Sequence, residues 1–308
     1  MNMNGQMTEK RPLITEGALS ARAVSKYISQ IDYSERHGHM LPSVLAYPDT
    51  WDAWRHHRMY GHLEPLLALD PKGSWLTIGD NGADANYIRS RSSGRIVASS
   101  ISRAPLDAVA SAGFLQNVEI REMNAEAIEA EASSFDYVYC KEAYHHFARP
   151  PIGLYEFFRV ARKAVILCEP SDVNPQRALN IIRLCIKFLL RGERSNMIDF
   201  EPAGNFIFRL SIPELRKIAT AIGFSRVYWR YFNDFYIRKL AEQSRTNLFG
   251  GAMLRCGIAM QDICCSLRLM NWGKCTVVIW MPGVEQRVDE NLTCCGFHRF
   301  DVPMNPYV

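Results

Sequence analysis

Between Ser74 and Pro170, short apolar segments alternate regularly with segments of helical periodicity. The apolar segments are SWLTIG, RIVASSI, VEIRE, FDYVYCK and KAVILCEP, and most of them are continuous rather than alternating with polar residues. Continuous apolar strands are typical of a parallel sheet that helices cover on both faces. The order of strands and helices therefore predicts an α/β protein whose ligand lies at the carboxyl ends of the strands.

The segments that flank this core extend the same architecture. Residues 1–72 have helical periodicity and no strand pattern, as in WDAWRHHRMYGHLEPLLAL. Later segments, IPELRKIATAIGF, SRVYWRYFN and KCTVVIWMP, predict one more covering helix and two more strands. We therefore predict a Rossmann-like, doubly wound, mostly parallel seven-stranded sheet over residues 73–283, preceded by an N-terminal helical segment.

Two regions depart from the alternation. The amphipathic segment from Asn174 to Arg191 predicts a helix inserted after the fifth strand, within a helical cap near residues 174–200. Residues 284–308 show no clear period, so we expect an irregular C-terminal tail.

Composition and charge narrow the classes of partner. The formal charge of +4 over 308 residues comes without a dense Lys/Arg run, so we expect no nucleic-acid partner. MNMNGQMTEKRPL lacks the apolar stretch of a signal peptide, and ALNIIRLCIKFLL is interrupted by Arg183 and Lys187. Most of the nine cysteines stand in apolar segments, as reduced thiols do. These features predict a cytoplasmic protein with no membrane segment. They leave the oligomeric state open, with a homodimer as one candidate.

The turn after the first strand contains glycine and carboxylates. Gly79, Asn81 and Gly82 tolerate unusual backbone conformations and let the backbone approach a ligand. Pyrophosphate binders usually have three glycines at G-x-G-x-x-G spacing, whereas here Asp80 and Asp84 flank the turn. Carboxylates repel a diphosphate and attract a cofactor that has an ammonium and a sulfonium. The turn thus favours S-adenosylmethionine over NAD or ATP.

At this point the sequence resembles the class I S-adenosylmethionine-dependent methyltransferases, particularly those among bacterial carbohydrate and natural-product enzymes. LTIGDNGADANYI stands in the place of the family's glycine-rich first motif, and FDYVYCKEAYHHFARPPIGLYEFFRVARKAVILCEP resembles its fourth strand, following loop, helix and fifth strand. MNAEAI occupies the place of the adenine contact, which implies that Asn124, Ala125 and Glu126 bind the cofactor. Where the family has an acidic ribose ligand after its second strand, this chain has Ser99 and Ser100. A helix before the sheet often closes over the cofactor in this fold, which makes Tyr60 a further candidate.

The loop CKEAYHHF follows the fourth strand and is expected to face the cofactor. Lys141 and Glu142 are candidates for cofactor binding, and Glu142, His145 and His146 are candidates for catalysis. A histidine suits a general base because its pKa lies near neutral pH. Each histidine could instead be structural, by capping the next helix or packing against Tyr144. We predict no metal site, since adjacent histidines on one loop rarely bind one ion and no third ligand is evident.

Substrate-binding candidates lie near the ends of later strands and in aromatic segments. Polar side chains among aromatic residues need partners if they are buried, and Asn233 is in addition a catalytic candidate. The aromatic residues themselves could equally belong to the core of the sheet. The substrate-binding candidates are Tyr144, Glu169, Asn205, Asn233 and Tyr236.

Three functions remain open from the sequence. The first is a methyltransferase for a small natural-product or sugar-like acceptor, in which positioning supplies most of the catalysis. The second is an S-adenosylmethionine cyclase or lyase, in which the cofactor's own amine displaces methylthioadenosine and forms azetidine-2-carboxylate. The third is a non-catalytic binding member of the fold.

Overall fold

A computed structural model describes residues 21–172, 177–179, 181–182, 206–282 and 289–304. Its centre is an eight-stranded sheet in the order β3-β2-β1-β4-β5-β7-β6-β8. The first five strands along the chain are parallel, whereas β7 is antiparallel to β5 and β6, and β8 is antiparallel to β6. The strands are β1 (Trp75–Ile78), β2 (Ile96–Ser100), β3 (Glu119–Glu122), β4 (Phe135–Lys141), β5 (Ala161–Pro170), β6 (Arg226–Phe232), β7 (Lys274–Trp280) and β8 (His298–Asp301).

Helices precede the sheet and cover both of its faces, as the alternation predicts. They are α1 (Ala21–His37), α2 (Ser43–Ala46), α3 (Trp51–Tyr60), α4 (Glu64–Leu69), α5 (Ala83–Arg89), α6 (Ala104–Ser111), α7 (Pro150–Val160), α8 (Ile212–Ile222), α9 (Arg238–Ala241), α10 (Leu248–Ser266) and α11 (Asp289–Cys294). The predicted α/β, doubly wound, mostly parallel fold is confirmed.

The count of seven strands and the irregular tail are wrong, because the tail contributes α11 and the edge strand β8. Most of the β8 side chains are exposed, so no apolar period marks the strand in the sequence. It is held by its pairing with β6, where the Trp229 ring stacks on the His298 ring with centroids 5.5 Å apart. An edge strand of this kind is specified by its neighbour rather than by its own pattern.

Alternate side chains of each buried strand enter two separate hydrophobic cores. On β4, Tyr137 and Tyr139 belong to one core, and Val138 and Cys140 belong to the other. The continuous apolar strands of the sequence thus serve a sheet covered on both faces. Trp75 on β1 stacks on Tyr137 with ring centroids 4.5 Å apart, which ties the central pair of strands together.

The strand order creates a crevice at the carboxyl ends of the sheet. Because β1 lies between β2 and β4, the connections that leave β1 and β4 turn to opposite sides of the sheet. The turn after β1 and the loop after β4 therefore border one opening.

Most of the predicted insertion at Asn174–Arg191, and the candidate Asn205, lie outside the described residues. Within the described part, Leu179 N donates to Leu269 O at 3.0 Å, which places the start of this segment beside the chain that follows α10.

Candidate active site

A cavity of about 420 Å³ lies at the carboxyl ends of the central strands, beneath α1. Eight of the predicted site residues line it on the strand side: Gly79, Asp80, Asn81, Ser100, Asn124, Ala125, Glu126 and Glu142. His146 lines it from the loop after β4. The volume falls within the range of small-molecule and cofactor sites.

Two glycines give the turn after β1 its shape. Gly79 has φ +65° and Gly82 has φ +93°, a region that side chains with a Cβ rarely adopt. A Cβ on Gly79 would lie 2.4 Å from the Cβ of Ala143, so the turn and the loop after β4 approach each other closely only with glycine here. The backbone of this turn forms one wall of the cavity.

The Asp80 carboxylate organises the turn from within. It accepts hydrogen bonds from the Thr77 hydroxyl at 2.7 Å and from the backbone N–H groups of Gly82, Asp84 and Ala85, at 2.6, 3.2 and 2.9 Å. It thereby satisfies N–H groups at the start of α5. Burial and the neighbouring Asp84 carboxylate raise the pKa of Asp80 to about 6.

Asp84, Tyr60 and Lys141 form a buried cluster behind the turn. Tyr60 donates to Asp84 Oδ1 at 2.8 Å, and Lys141 Nζ lies 3.1 Å from the same oxygen. Burial lowers the pKa of Lys141, but the carboxylates of Asp84 and Glu142 outweigh it, so that the pKa is raised overall. None of the three cluster residues lines the cavity, and their charges act on it from behind the turn.

The ends of β2 and β3 supply the next wall. Ser100 lines the cavity, whereas the Ser99 hydroxyl donates to Thr77 O at 2.7 Å and fixes β2 to β1. Asn124 Oδ1 accepts from Glu126 N at 2.9 Å, which closes the small turn after β3. The Glu126 carboxylate in turn accepts from Arg149 N at 2.6 Å and from Arg149 Nε at 2.7 Å.

Helix α1 closes the cavity with four residues that the sequence analysis does not single out: Tyr27, Gln30, Tyr33 and Ser34. Gln30 Nε2 donates to His146 O, which ties the helix to the loop after β4. The buried Tyr27 hydroxyl has no hydrogen-bond partner among the described residues. Tyr27, Gln30 and Ser34 are spaced by three and four residues and so share one face of the helix. This polar and aromatic face is the sequence pattern from which a role of α1 in the site could have been predicted.

Glu142 stands in a left-handed backbone conformation at the cavity wall, with φ +53°. Its Oε2 lies 2.6 Å from Lys274 Nζ, which also lies 3.0 Å from Asp234 Oδ2. Glu142 Oε1 is buried without a hydrogen-bond partner among the described residues. A non-glycine residue at positive φ beside a ligand cavity is typical of a functional site.

The two histidines of the loop differ in position. His145 is buried behind the cavity wall, and its Nδ1 lies 2.6 Å from Glu169 Oε2. Glu169 is fully buried and also accepts from the N–H groups of Ala143 and Tyr144, each at 3.0 Å. Burial alone would raise the pKa of Glu169, but the bond from His145 and the two N–H groups lower it. The rings of His145 and His146 lie 4.0 Å apart between centroids, and only His146 lines the cavity.

Three substrate-binding candidates have structural contacts away from this cavity. The Asn233 amide donates to Asp262 Oδ1 at 2.8 Å and accepts from Gly273 N at 2.9 Å, so it joins the end of β6 to α10. Tyr144 packs against aromatic neighbours in the core, and half-exposed Tyr236 lies 4.3 Å from the Arg55 guanidinium, measured to its ring centroid. In an aromatic segment the same residue types serve packing and binding, and only the fold separates the two.

Comparison with known proteins agrees with this arrangement. Residues 76–168 match the family of methyltransferase domains, a span that runs from β1 into β5 and ends two residues before that strand does. No curated protein sequence matches the chain significantly.

Solved structures share the fold at low sequence identity. The 1,6-didemethyltoxoflavin-N1-methyltransferase of Burkholderia thailandensis, solved with 1,6-didemethyltoxoflavin and S-adenosylhomocysteine, is 13% identical; the alignment covers 87% of this chain and 93% of that chain, with a TM-score of 0.50. An S-adenosylmethionine-dependent methyltransferase of Methanosarcina mazei is 18% identical over 70% of this chain and 95% of that chain, with a TM-score of 0.45. The predicted resemblance to class I S-adenosylmethionine-dependent methyltransferases is confirmed.

Proposed function

We propose that the chain is an S-adenosylmethionine-dependent methyltransferase that acts on a small-molecule acceptor. The observation that supports this proposal most strongly is the cavity at the carboxyl ends of β1 and β4. The turn after β1 and the loop after β4 border this cavity, and they can approach each other so closely only because residue 79 is glycine. All of the lining residues except the four from α1 lie within the span that matches methyltransferase domains. The eight described cysteines form no disulfide, in keeping with a cytoplasmic location.

The charge around the cavity fits a cationic cofactor. Carboxylates of Asp80, Glu126 and Glu142 belong to lining residues, and no lysine or arginine lines the cavity among the described residues. Arg149 and Lys274 pair with two of these carboxylates from outside the lining. The charge of the lining residues themselves still disfavours a diphosphate and attracts a sulfonium and an ammonium. The free Oε1 of Glu142 and the Tyr27 hydroxyl are polar atoms that a bound cofactor or acceptor could satisfy.

S-adenosylmethionine supplies a methyl group activated by its sulfonium. The residues of this chain then have two tasks, namely to hold the acceptor in line with that methyl and to remove the acceptor's proton. His146 is the proposed base, because it is the histidine that lines the cavity. Glu169 holds His145 in the tautomer that donates from Nδ1, and the His145 ring packs against His146 and fixes its position.

The proposal is tested by incubating purified protein with S-adenosylmethionine alone and analysing the products by mass spectrometry. We expect the cofactor to stay intact beyond its spontaneous breakdown, and methylation to begin when a set of small hydroxyl- and amine-bearing acceptors is added. Methylthioadenosine formed by the protein alone would overturn methyl transfer and establish the cyclase or lyase reaction. No product with any acceptor, together with no cofactor binding, would favour a non-catalytic member of the fold.

A further inference from the structure

The outer side of α10 carries a continuous apolar stripe. Its members are exposed, with fractions of 74% for Phe249, 68% for Met260 and 64% for Leu267. They follow one another at alternating intervals of four and three residues. The apolar stripe consists of Phe249, Met253, Cys256, Met260, Ile263 and Leu267.

The opposite side of the same helix is anchored in the protein. Leu254, Ile258 and Cys265 are buried. In the described part of the chain, α10 is also the one helix that is long and apolar enough to cross a membrane, and only 28% of that window is buried. The stripe is therefore a surface of a firmly placed helix and not part of the core.

The spacing of the stripe matches that of a helix–helix seam. Alternating intervals of four and three residues keep apolar side chains on one face of the helix, as in the seam between two packed helices. Exposed Ala252, Ala259 and Ser266 run beside the stripe at seven-residue intervals, and such small side chains allow a second backbone to come close. The five large members of the stripe are 43% to 74% exposed, so the stripe is a contiguous apolar patch of the kind that marks an interaction site, and packing two copies against each other would bury it on both.

We propose that the apolar stripe is a homodimer interface, in which α10 packs antiparallel against α10 of a second copy. The positions of the stripe residues along the sequence are symmetric about position 258. A two-fold axis there sets Phe249 of one copy against Leu267 of the other, and Cys256 against Met260. A self-complementary patch of this kind is what a two-fold interface requires.

The charges on α10 favour a second copy over a lipid surface. Helices that lie on membranes carry many lysines or arginines on the polar face. Here the charged residues of α10 are Arg255 and Asp262, one of each sign. The helix therefore has no net charge to attract it to an anionic membrane. Packing against a second apolar stripe, by contrast, would remove the apolar side chains of both copies from water.

Sedimentation velocity of the full chain over a wide concentration range tests the interface. Met260→Glu would bury a charge in each half of the seam and should weaken dimerisation at least tenfold. Met40→Glu is the matched control, because Met40 is 69% exposed, the same residue type and away from α10. We expect a dimer for the wild type and for Met40→Glu, and a shift to monomer for Met260→Glu.

A conservative variant tests the antiparallel register independently. Met260→Cys should form a covalent dimer on mild oxidation, by pairing with Cys256 of the other copy, and Met40→Cys should not. A monomeric wild type, an unchanged dimer in Met260→Glu, or equal crosslinking of the two cysteine variants would each overturn the proposal. Monomer that cosediments with phosphatidylserine vesicles would overturn it in favour of a membrane surface. None of these readouts depends on cofactor binding.

Discussion

Glu169 at the end of β5 and His145 in the loop after β4 are joined by a hydrogen bond of 2.6 Å in the interior of the protein. The same carboxylate accepts two backbone N–H groups from this loop. One buried side chain therefore fixes the wall that carries Glu142 and His146. Glu169 is predicted from the sequence to bind substrate; in the structure its contacts make it a support for the site.

Glu169→Gln should lower the free energy of unfolding by about 3 kcal/mol at pH 7, because it leaves a buried network without its charge. The pKa of Glu169 is lowered in the folded state, so its contribution is present above the ordinary glutamate pKa and is lost as the pH falls through the folded value. The deficit of the variant should hence shrink in acid. Urea denaturation at pH 7 and at a series of pH values below 4.5 measures it. Exposed Glu129→Gln is the control, and an equal loss in both variants would contradict the account.

Gly79→Ala should abolish cofactor binding, since the new Cβ would lie 2.4 Å from the Cβ of Ala143 and force the turn away from the loop. Gly113→Ala separates this clash from backbone strain, because Gly113 has φ +87° and open space around it. Both variants should lose about 1 kcal/mol or more of stability. Only Gly79→Ala should lose the rise in melting temperature that S-adenosylmethionine causes. A retained rise in that variant would contradict the assigned cavity.

Affinity for S-adenosylmethionine should increase from pH 5 to pH 7. In the free protein the pKa of Asp80 is raised to about 6, so the protonated side chain stabilises the fold. This stabilisation is complete below pH about 4, the ordinary pKa of aspartate, and is lost as the pH rises through 6. A bound cation favours the charged carboxylate and so binds more tightly above this pKa. S-adenosylhomocysteine has the same amine and a neutral sulfur, so the affinity ratio of the two ligands isolates the sulfonium. If the ratio of the two affinities stayed constant from pH 5 to pH 7, Asp80 would not interact with the sulfonium.

Tyr27→Phe should weaken cofactor binding by roughly fivefold to tenfold, the effect of about one lost hydrogen bond. Tyr27 lines the cavity, and its buried hydroxyl has no hydrogen-bond partner among the described residues, so removing the hydroxyl should leave the unfolding free energy nearly unchanged. Tyr139→Phe is the matched control, because that hydroxyl is equally buried and unpartnered but lies in the core away from the cavity. Equal affinities of the two variants would remove Tyr27 from the site. Calorimetric titration supplies the dissociation constants.

The sequence is sufficient to predict what depends on local pattern. Continuous apolar runs predict the two-faced sheet, and Gly79 and Gly82 predict a turn of unusual conformation. The turn after β1 and the loop after β4 lie at the same edge of the sheet because the two strands are parallel. This explains why Glu142 and His146 meet the turn residues in one cavity.

What the sequence does not predict depends on contacts between distant segments. The helical pattern of α1 is evident, but its crossing above the cavity, where Gln30 reaches His146, is not. Strand β8 has mostly exposed side chains and is specified by its pairing with β6. For Asn233 the expectation of a polar partner holds, yet that partner is Asp262 on α10 rather than a ligand.

Calorimetric titration of the purified chain with S-adenosylmethionine tests the central claim most directly, because every role proposed for the cavity requires the cofactor to bind there. We predict saturable binding at one site per chain, competed by S-adenosylhomocysteine and lost in Gly79→Ala but kept in Gly113→Ala. No saturable binding, or binding that Gly79→Ala leaves intact, would contradict the assignment of this cavity.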